Sequence, residues 1–129
     1  EHVQLWLDED QTVKYKCFGL SEPISGGQWQ AGEVIHIAIT KTIYTTVWPI
    51  TQRNITKLYV NGVHVDGFNV PASYSNVETR ATHVGKCVNC TDGYFDGYID
   101  EMAFYYSELS ADRVKLHYEI GSGKYTFSE

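Results

Sequence analysis

Asp100 is the carboxylate whose surroundings demand an explanation. It sits in Phe95-Asp96-Gly97-Tyr98-Ile99-Asp100-Glu101-Met102-Ala103-Phe104-Tyr105-Tyr106. Strand alternation would put Tyr98, Asp100, Met102, Phe104 and Tyr106 on one face. Met102 and Phe104 are expected to point inward. A carboxylate between them must be hydrogen-bonded, paired or bound to a cation, because an unpaired buried charge is very costly. Backbone N–H groups at a sheet end would serve without metal.

The other reactive side chains assemble less chemistry. Asp8-Glu9-Asp10 reads as a solvated turn. Glycoside hydrolysis usually needs two carboxylates facing each other across a cleft, whereas Asp100 and its neighbour Glu101 would point to opposite faces. His2, His36, His64, His83 and His117 are scattered and none lies in a nucleophile motif. No catalytic residue is assigned. Cys87-Val88-Asn89-Cys90 has the C-x-x-C spacing. Zinc would need two more ligands that no second motif supplies, and the α/β context of a redox motif is missing. A small Cys87–Cys90 disulfide loop is the preferred reading, leaving Cys17 over or bonded to another chain. A bridge from Cys17 to Cys87 or Cys90 is the competing arrangement, and spacing does not choose between them.

Two sequons, Asn54-Ile55-Thr56 and Asn89-Cys90-Thr91, fall in segments expected to be loops, where a glycan is tolerated. With the three cysteines they favour an extracellular, secretory-pathway protein. The net charge of −6 argues against nucleic acid, whose phosphates call for a basic footprint. No apolar run reaches the ~20 residues of a membrane-spanning helix. The chain opens on Glu1 rather than Met, which is expected of a processed chain or a fragment.

The elements that must position these groups are short strands. Hydrophobic residues make up 43% of the 129, enough for one domain with a core. Ten Tyr, five Phe and three Trp suit pleated surfaces. Alternation over residues 2–8 and 12–18, around the polar turn at 8–11, predicts a hairpin. Residues 19–32 hold Pro23, Gly26, Gly27 and Gly32 and are expected to form a loop around Trp29. Val34–Thr40 is a strand. Asn61-Gly62 joins strands 56–60 and 63–66 in the strongest hairpin signal of the chain. A short strand is expected at 82–85, a longer one at 94–106 and a further one at 125–127. Ser110 is placed to cap a helix at 111–118. Ile35, Ile37, Ile39, Leu58, Val60, Met102 and Phe104 are the expected core. The fold class is all-β, an antiparallel sandwich with one short C-terminal helix.

Three stretches, in the right order, carry a family resemblance. Phe95, Gly97, Ile99-Asp100-Glu101, Met102, Phe104, Tyr105 and Leu109-Ser110 are similar to a closing strand. Trp29 through Glu33-Val34-Ile35-His36-Ile37-Ala38-Ile39-Thr40 is similar to a tryptophan-led strand. Lys57-Leu58-Tyr59-Val60-Asn61-Gly62-Val63 is similar to a strand-Asn-Gly hairpin. Together they resemble the laminin-G-like and pentraxin-like domains of the concanavalin A-like lectin/glucanase superfamily, over most of residues 29–120. The resemblance implies a jelly roll, with residues 1–129 one domain lacking the family's opening strands. It implies that Trp29 and His36 are structural. It implies calcium at Asp100, since superfamily members often use the matching Asp at a structural site, with Asp96 beside it. The Glu-x-Asp-x-x-Glu pattern of superfamily glucanases is absent, so no enzyme is expected. Residues 41–55 look like an insertion relative to the family. Aromatics can stack on sugar rings, and Trp48 beside Pro49 in that insertion, with Tyr44 and Trp6, is the candidate binding set.

The function expected is a non-catalytic extracellular binding or adhesion module for glycan or protein partners. The alternative is a structural building block of an extracellular filament or coat, assembling through sandwich edges and loops. Val3, Leu5 and Leu7 demand cover, each exposed side chain forfeiting ~1.5–3 kcal/mol. The missing strands are therefore expected from the rest of a parent protein or from a neighbouring subunit.

Overall fold

The computed structural model describes residues 3–17, 20–72, 83–87, 91 and 93–123. The chain divides into two compact units, residues 1–73 with 107–129, and residues 74–106. The first unit holds the elements β1 (Gln4–Leu7), β2 (Val13–Lys16), β3 (Ile24–Gly26), β4 (Ile37–Val47), β5 (Ile50–Val60), β6 (Val63–Pro71) and α1 (Ala111–Gly121). They form two antiparallel three-stranded sheets, β1-β2-β3 and β4-β5-β6. The fold is an all-β jelly-roll sandwich with one short helix.

Alternation drives the first hairpin. Val13, Tyr15 and Cys17 are buried, while Lys14 and Lys16 between them are half-buried. The turn closes through Asp8 N to Thr12 O and Gln11 N to Asp8 O, each 2.9 Å. Lys14 Nζ reaches Oδ2 of both Asp8 and Asp10 at 2.8 Å. Residues 19–32 are not wholly a loop, because Ile24–Gly26 pairs with β2 and buries Ile24 against the core. Trp29 is structural as expected. Its backbone N donates to Gln11 O (3.0 Å), its indole N–H donates to Thr12 O (3.2 Å), and its ring packs on the core.

The core joins Val13, Tyr15, Cys17 and Ile24 of one sheet to Leu58 and Val60 of the other. Ile35, Ile37 and Ile39 pack against it half-buried. Burial pushes the Tyr15 hydroxyl up to about 12 and raises the Cys17 thiol. Gly27 marks the close approach of the sheets. It has φ +67°, and a Cβ there would lie 2.7 Å from Val60 Cβ, so a larger residue would pry the sheets apart. Ser25 N donates to Asp66 Oδ2 (2.9 Å), tying β3 to β6.

Residues 41–55, the segment that looks like an insertion relative to the family, are strand for most of their length. They continue β4 and β5 in unbroken register from Ile37↔Val60 to Val47↔Ile50. At the far end, Asn61 and Gly62 both have positive φ, +51° and +77°, as a two-residue primed turn requires. Ser110 caps α1 as expected, its Oγ accepting from Arg113 N at 3.2 Å. Val114 is the buried anchor of the helix. Tyr118 and Lys115 lie against Gly62.

The second unit departs from expectation. Residues 83–85 form no strand, 84 and 85 being bends, and residues 95–106 follow no strand. Among the described residues, the β pairing in this unit is the bridge between Lys86 and Tyr94. Glu101 takes φ +51°, which interrupts extended backbone. Met102 and Phe104, expected in the core, are exposed, Phe104 by 82%. Residues 125–127 lie outside the described residues.

Candidate functional site

The outer face of β4–β6 bears an open groove. Directly paired residues share a face of an antiparallel sheet. The register Tyr44↔Arg53, Ile55↔Asn69, Lys57↔Gly67 and Tyr59↔His64 sets these side chains opposite the core-facing Leu58. A bulge at Leu58/Tyr59 shifts the register by one, so that Gly67 and Asn69, rather than Asp66 and Phe68, lie across from Lys57 and Ile55 on this face. A groove of about 490 Å³, open to solvent, runs along β5–β6 over Ile55, Lys57, His64, Gly67 and Asn69. Gly67 forms its floor. A Cβ there would meet Thr56 O at 2.6 Å and His64 Nε2 at 3.3 Å, so a side chain would both strain the strand and fill the depression.

The polar groups here are held in place. The His64 ring lies 5.4 Å from the Tyr59 ring, tilted by 49°. Arg53 Nε donates to Asn69 Oδ1, and Arg53 Nη2 donates to Asn69 O at 2.7 Å. Tyr44, across from Arg53, is exposed. The surface therefore offers an aromatic platform, two cationic side chains, an amide and an imidazole. That set can stack on a ring and hydrogen-bond hydroxyl, amide or acidic groups.

Of the binding set expected from sequence, Tyr44 lies on this face. Trp48 lies at the β4–β5 tip and is 92% exposed. Trp6 does not join them. It is on β1, half-buried, with its indole N–H donating to Asp8 Oδ1 at 2.9 Å. Arg53, Lys57, His64 and Asn69 were missed, although alternation along β5 sets Arg53, Ile55 and Lys57 on one side. Register from the Asn61-Gly62 turn was the remaining clue; it reaches His64 across from Tyr59, but the bulge puts the placement of Asn69 beyond sequence reach.

The acidic residues are placed otherwise than expected. Asp100 does not point into a core. It is exposed, and its Oδ1 accepts from the adjacent Glu101 N at 2.8 Å. Asp96 is also exposed, and Asp92 lies outside the described residues. Calcium takes six to eight oxygen ligands, and among the described residues no three His, Cys, Asp or Glu side chains gather. These residues do not fit the ion as arranged. Hydrogen bonds from Lys14 lower Asp8 and hold Asp10 down to about 2.

The first sequon is not in a loop. Asn54 lies inside β5, 9% exposed, its Oδ1 accepting from Thr56 Oγ1 at 2.9 Å. Asn89 and Cys90 lie outside the described residues, so the second sequon and the Cys87–Cys90 pairing fall there as well.

A family model described as concanavalin A-like lectin/glucanases superfamily matches residues 2–115. The chain belongs to that superfamily. No curated protein and no solved structure matches it in the parallel comparisons. The superfamily name covers both lectins and glucanases, so membership points to a binding fold without naming a ligand. No helix among the described residues is long and apolar enough to cross a membrane.

Proposed function

We propose that the chain is a non-catalytic extracellular binding module that recognises a glycan or a protein through the outer face of β4–β6. The groove over Gly67 carries this reading, because it combines a bare backbone floor with Lys57, His64 and Asn69 on its walls. Tyr44 and Arg53 extend the surface toward the hairpin tip. Extracellular placement would bring with it a glycan at Asn89 and a Cys87–Cys90 disulfide, both readable by mass of the intact and the reduced, deglycosylated protein. A glycan array followed by titration of the best ligand tests the recognition. Lys57→Ala and Tyr44→Ala should each weaken binding at least about tenfold, a loss of roughly 1.4 kcal/mol. Binding that both variants leave unchanged would remove the groove from the reading.

A second reading, a building block that assembles through sandwich edges, has its own support. β1 is the outer strand of its sheet, and Val3 and Leu5 on or beside it are exposed. An edge strand with uncovered apolar side chains invites pairing with another chain. Concentration-dependent assembly without sugar or protein-ligand binding would favour this second reading.

A further inference from the structure

The groove over Gly67 is lopsided in charge and in hydrogen bonding. Lys57, half-buried on β5, lies directly across from Gly67 and lines the groove. Among the described residues no carboxylate pairs with Lys57 or Arg53, whereas Lys14 and Lys115 are both paired. Asp66 is the one acid among the lining residues. Its carboxylate is already engaged, Oδ2 accepting from Ser25 N at 2.9 Å and Oδ1 from Gly67 N at 2.8 Å. Asn69 is held in one sense. Its Oδ1 accepts from Arg53 Nε and its backbone carbonyl from Arg53 Nη2. With the amide oxygen occupied, Asn69 has its N–H groups left to offer. The groove therefore presents donors: an ammonium, an amide N–H and, at the exposed His64, an imidazole that can donate from one nitrogen.

Donors around an open depression suit an acceptor, and an unpaired cation suits an anion. Three further observations narrow the class. The first is the number of cations. Arg53 lies four residues along β5 from Lys57, about 13 Å at ~3.3 Å per residue, and is engaged with Asn69. One cation is left in the groove itself. In a chain of net charge −6 that matches one negative charge and works against a polyanion, which calls for a row of cations. The second is size. A volume of about 490 Å³ falls within the ~300–1,000 Å³ of small-ligand sites, so the groove suits the end of a chain and not its length. The third is the backbone. The groove lies between β5 and β6, which are paired through it from Arg53↔Pro71 to Leu58↔Asp66. An extended peptide lying there would gain none of the main-chain bonds that strand addition at a free edge provides. Hydroxyl-rich rings need no such bonds.

We propose that the groove is selective for a saccharide end bearing one negative charge, a carboxylate or a sulfate, which pairs with Lys57 and accepts from the Asn69 amide over the floor of Gly67. This rests on the recognition reading above and narrows it to an acidic sugar. Asp66 acts as a positioning residue, because one carboxylate holds both the floor, through Gly67 N, and the neighbouring sheet, through Ser25 N.

The test uses matched saccharides on one array: chains ending in a uronic acid against the parent hexose, and in a sulfated hexose against the unsulfated one, with short acidic peptides alongside. The best pair is then titrated at low and high salt. The acidic member should bind at least about tenfold tighter at low salt, as one charge-assisted hydrogen bond allows, and the gap should narrow as salt screens the charges. Whichever pair differs more names the anion. Lys57→Gln should erase the preference and leave binding of the uncharged member unchanged, whereas Lys57→Arg should keep most of it. Asn69→Asp still accepts from Arg53 but brings a negative charge to the groove, and it should weaken the acidic member severalfold. All three variants should melt like the parent, since these side chains lie on the solvent-open face. Equal binding within each pair, or a preference that survives Lys57→Gln, would overturn the proposal and leave saccharide recognition standing. Peptides that bind tighter than any sugar would overturn it in favour of a protein partner. No binding of any probe would overturn it together with the recognition reading.

Discussion

Residues 37–72 and residues 94–106 have similar-looking sequences and different outcomes. Both alternate apolar and polar residues, and both are rich in the aromatic or β-branched side chains that suit strands. The first becomes a three-stranded sheet whose Leu58 is fully buried. The second runs exposed, with Glu101 at positive φ and Asp100 turned onto its neighbour's amide. Alternation decides which face a strand would present. It does not supply the neighbour whose N–H and C=O groups make it a strand. β5 has that neighbour on both sides, whereas residues 95–106 lack a ladder.

Substitutions can break or sharpen this contrast. Leu58→Ala should cost the most, about 2–5 kcal/mol for a buried leucine replaced by a cavity, read as a fall in the urea midpoint. Next is Gly67→Ala, where a Cβ would lie 2.6 Å from the Thr56 carbonyl. Overpacking of that kind should cost about 1–3 kcal/mol, and it should impair groove binding as well. Ser110→Ala removes a helix cap and should cost about 1 kcal/mol, with loss concentrated in the hydrogen-exchange protection of α1.

A smaller effect should come from pH. Burial, and then the nearby His117, lower the pKa of His36 below its ordinary 6.5. The unfolded chain then binds a proton more readily than the folded one. This contribution to stability is intact above about pH 6.5 and is lost as pH falls below it toward the depressed folded value. Melting temperature should drop between pH 7.5 and 5.5, and His36→Gln should flatten that slope. A slope unchanged in the variant would locate the pH dependence elsewhere. The smallest expected effect is Phe104→Ala, within about 0.5 kcal/mol because the ring is exposed. A loss as large as that of Leu58→Ala would mean that residues 95–106 do share a core in solution, and the contrast would fail.

What was legible followed from local rules. The first hairpin, the Asn61-Gly62 turn, the Ser110 cap and the buried Leu58 and Val60 were all expected from residues within a few positions of each other, whereas the packed Trp29 was implied by the family resemblance. Family membership was legible from three short stretches, and the family match over residues 2–115 agrees. One of those stretches, the expected closing strand, nonetheless forms no strand. The site was less legible. Tyr44 and Trp48 stood out as aromatics in an odd segment, but Arg53, Lys57, His64 and Asn69 look like ordinary strand polars until register sets them side by side.

The sequence by itself determined the class of fold, most of the turns, and which side chains each strand would turn the same way, because alternation and turn chemistry act over a few residues. Only the tertiary structure decided which strands found partners. It decided that Asn54 is buried within β5 and not displayed on a loop, and that Asp100 faces solvent. It also decided that a bulge opposite Leu58 and Tyr59 sets Gly67, rather than Asp66, across from Lys57 as the bare floor beside His64. These outcomes depend on residues distant in the chain meeting across hydrogen bonds, and no local pattern encodes that pairing.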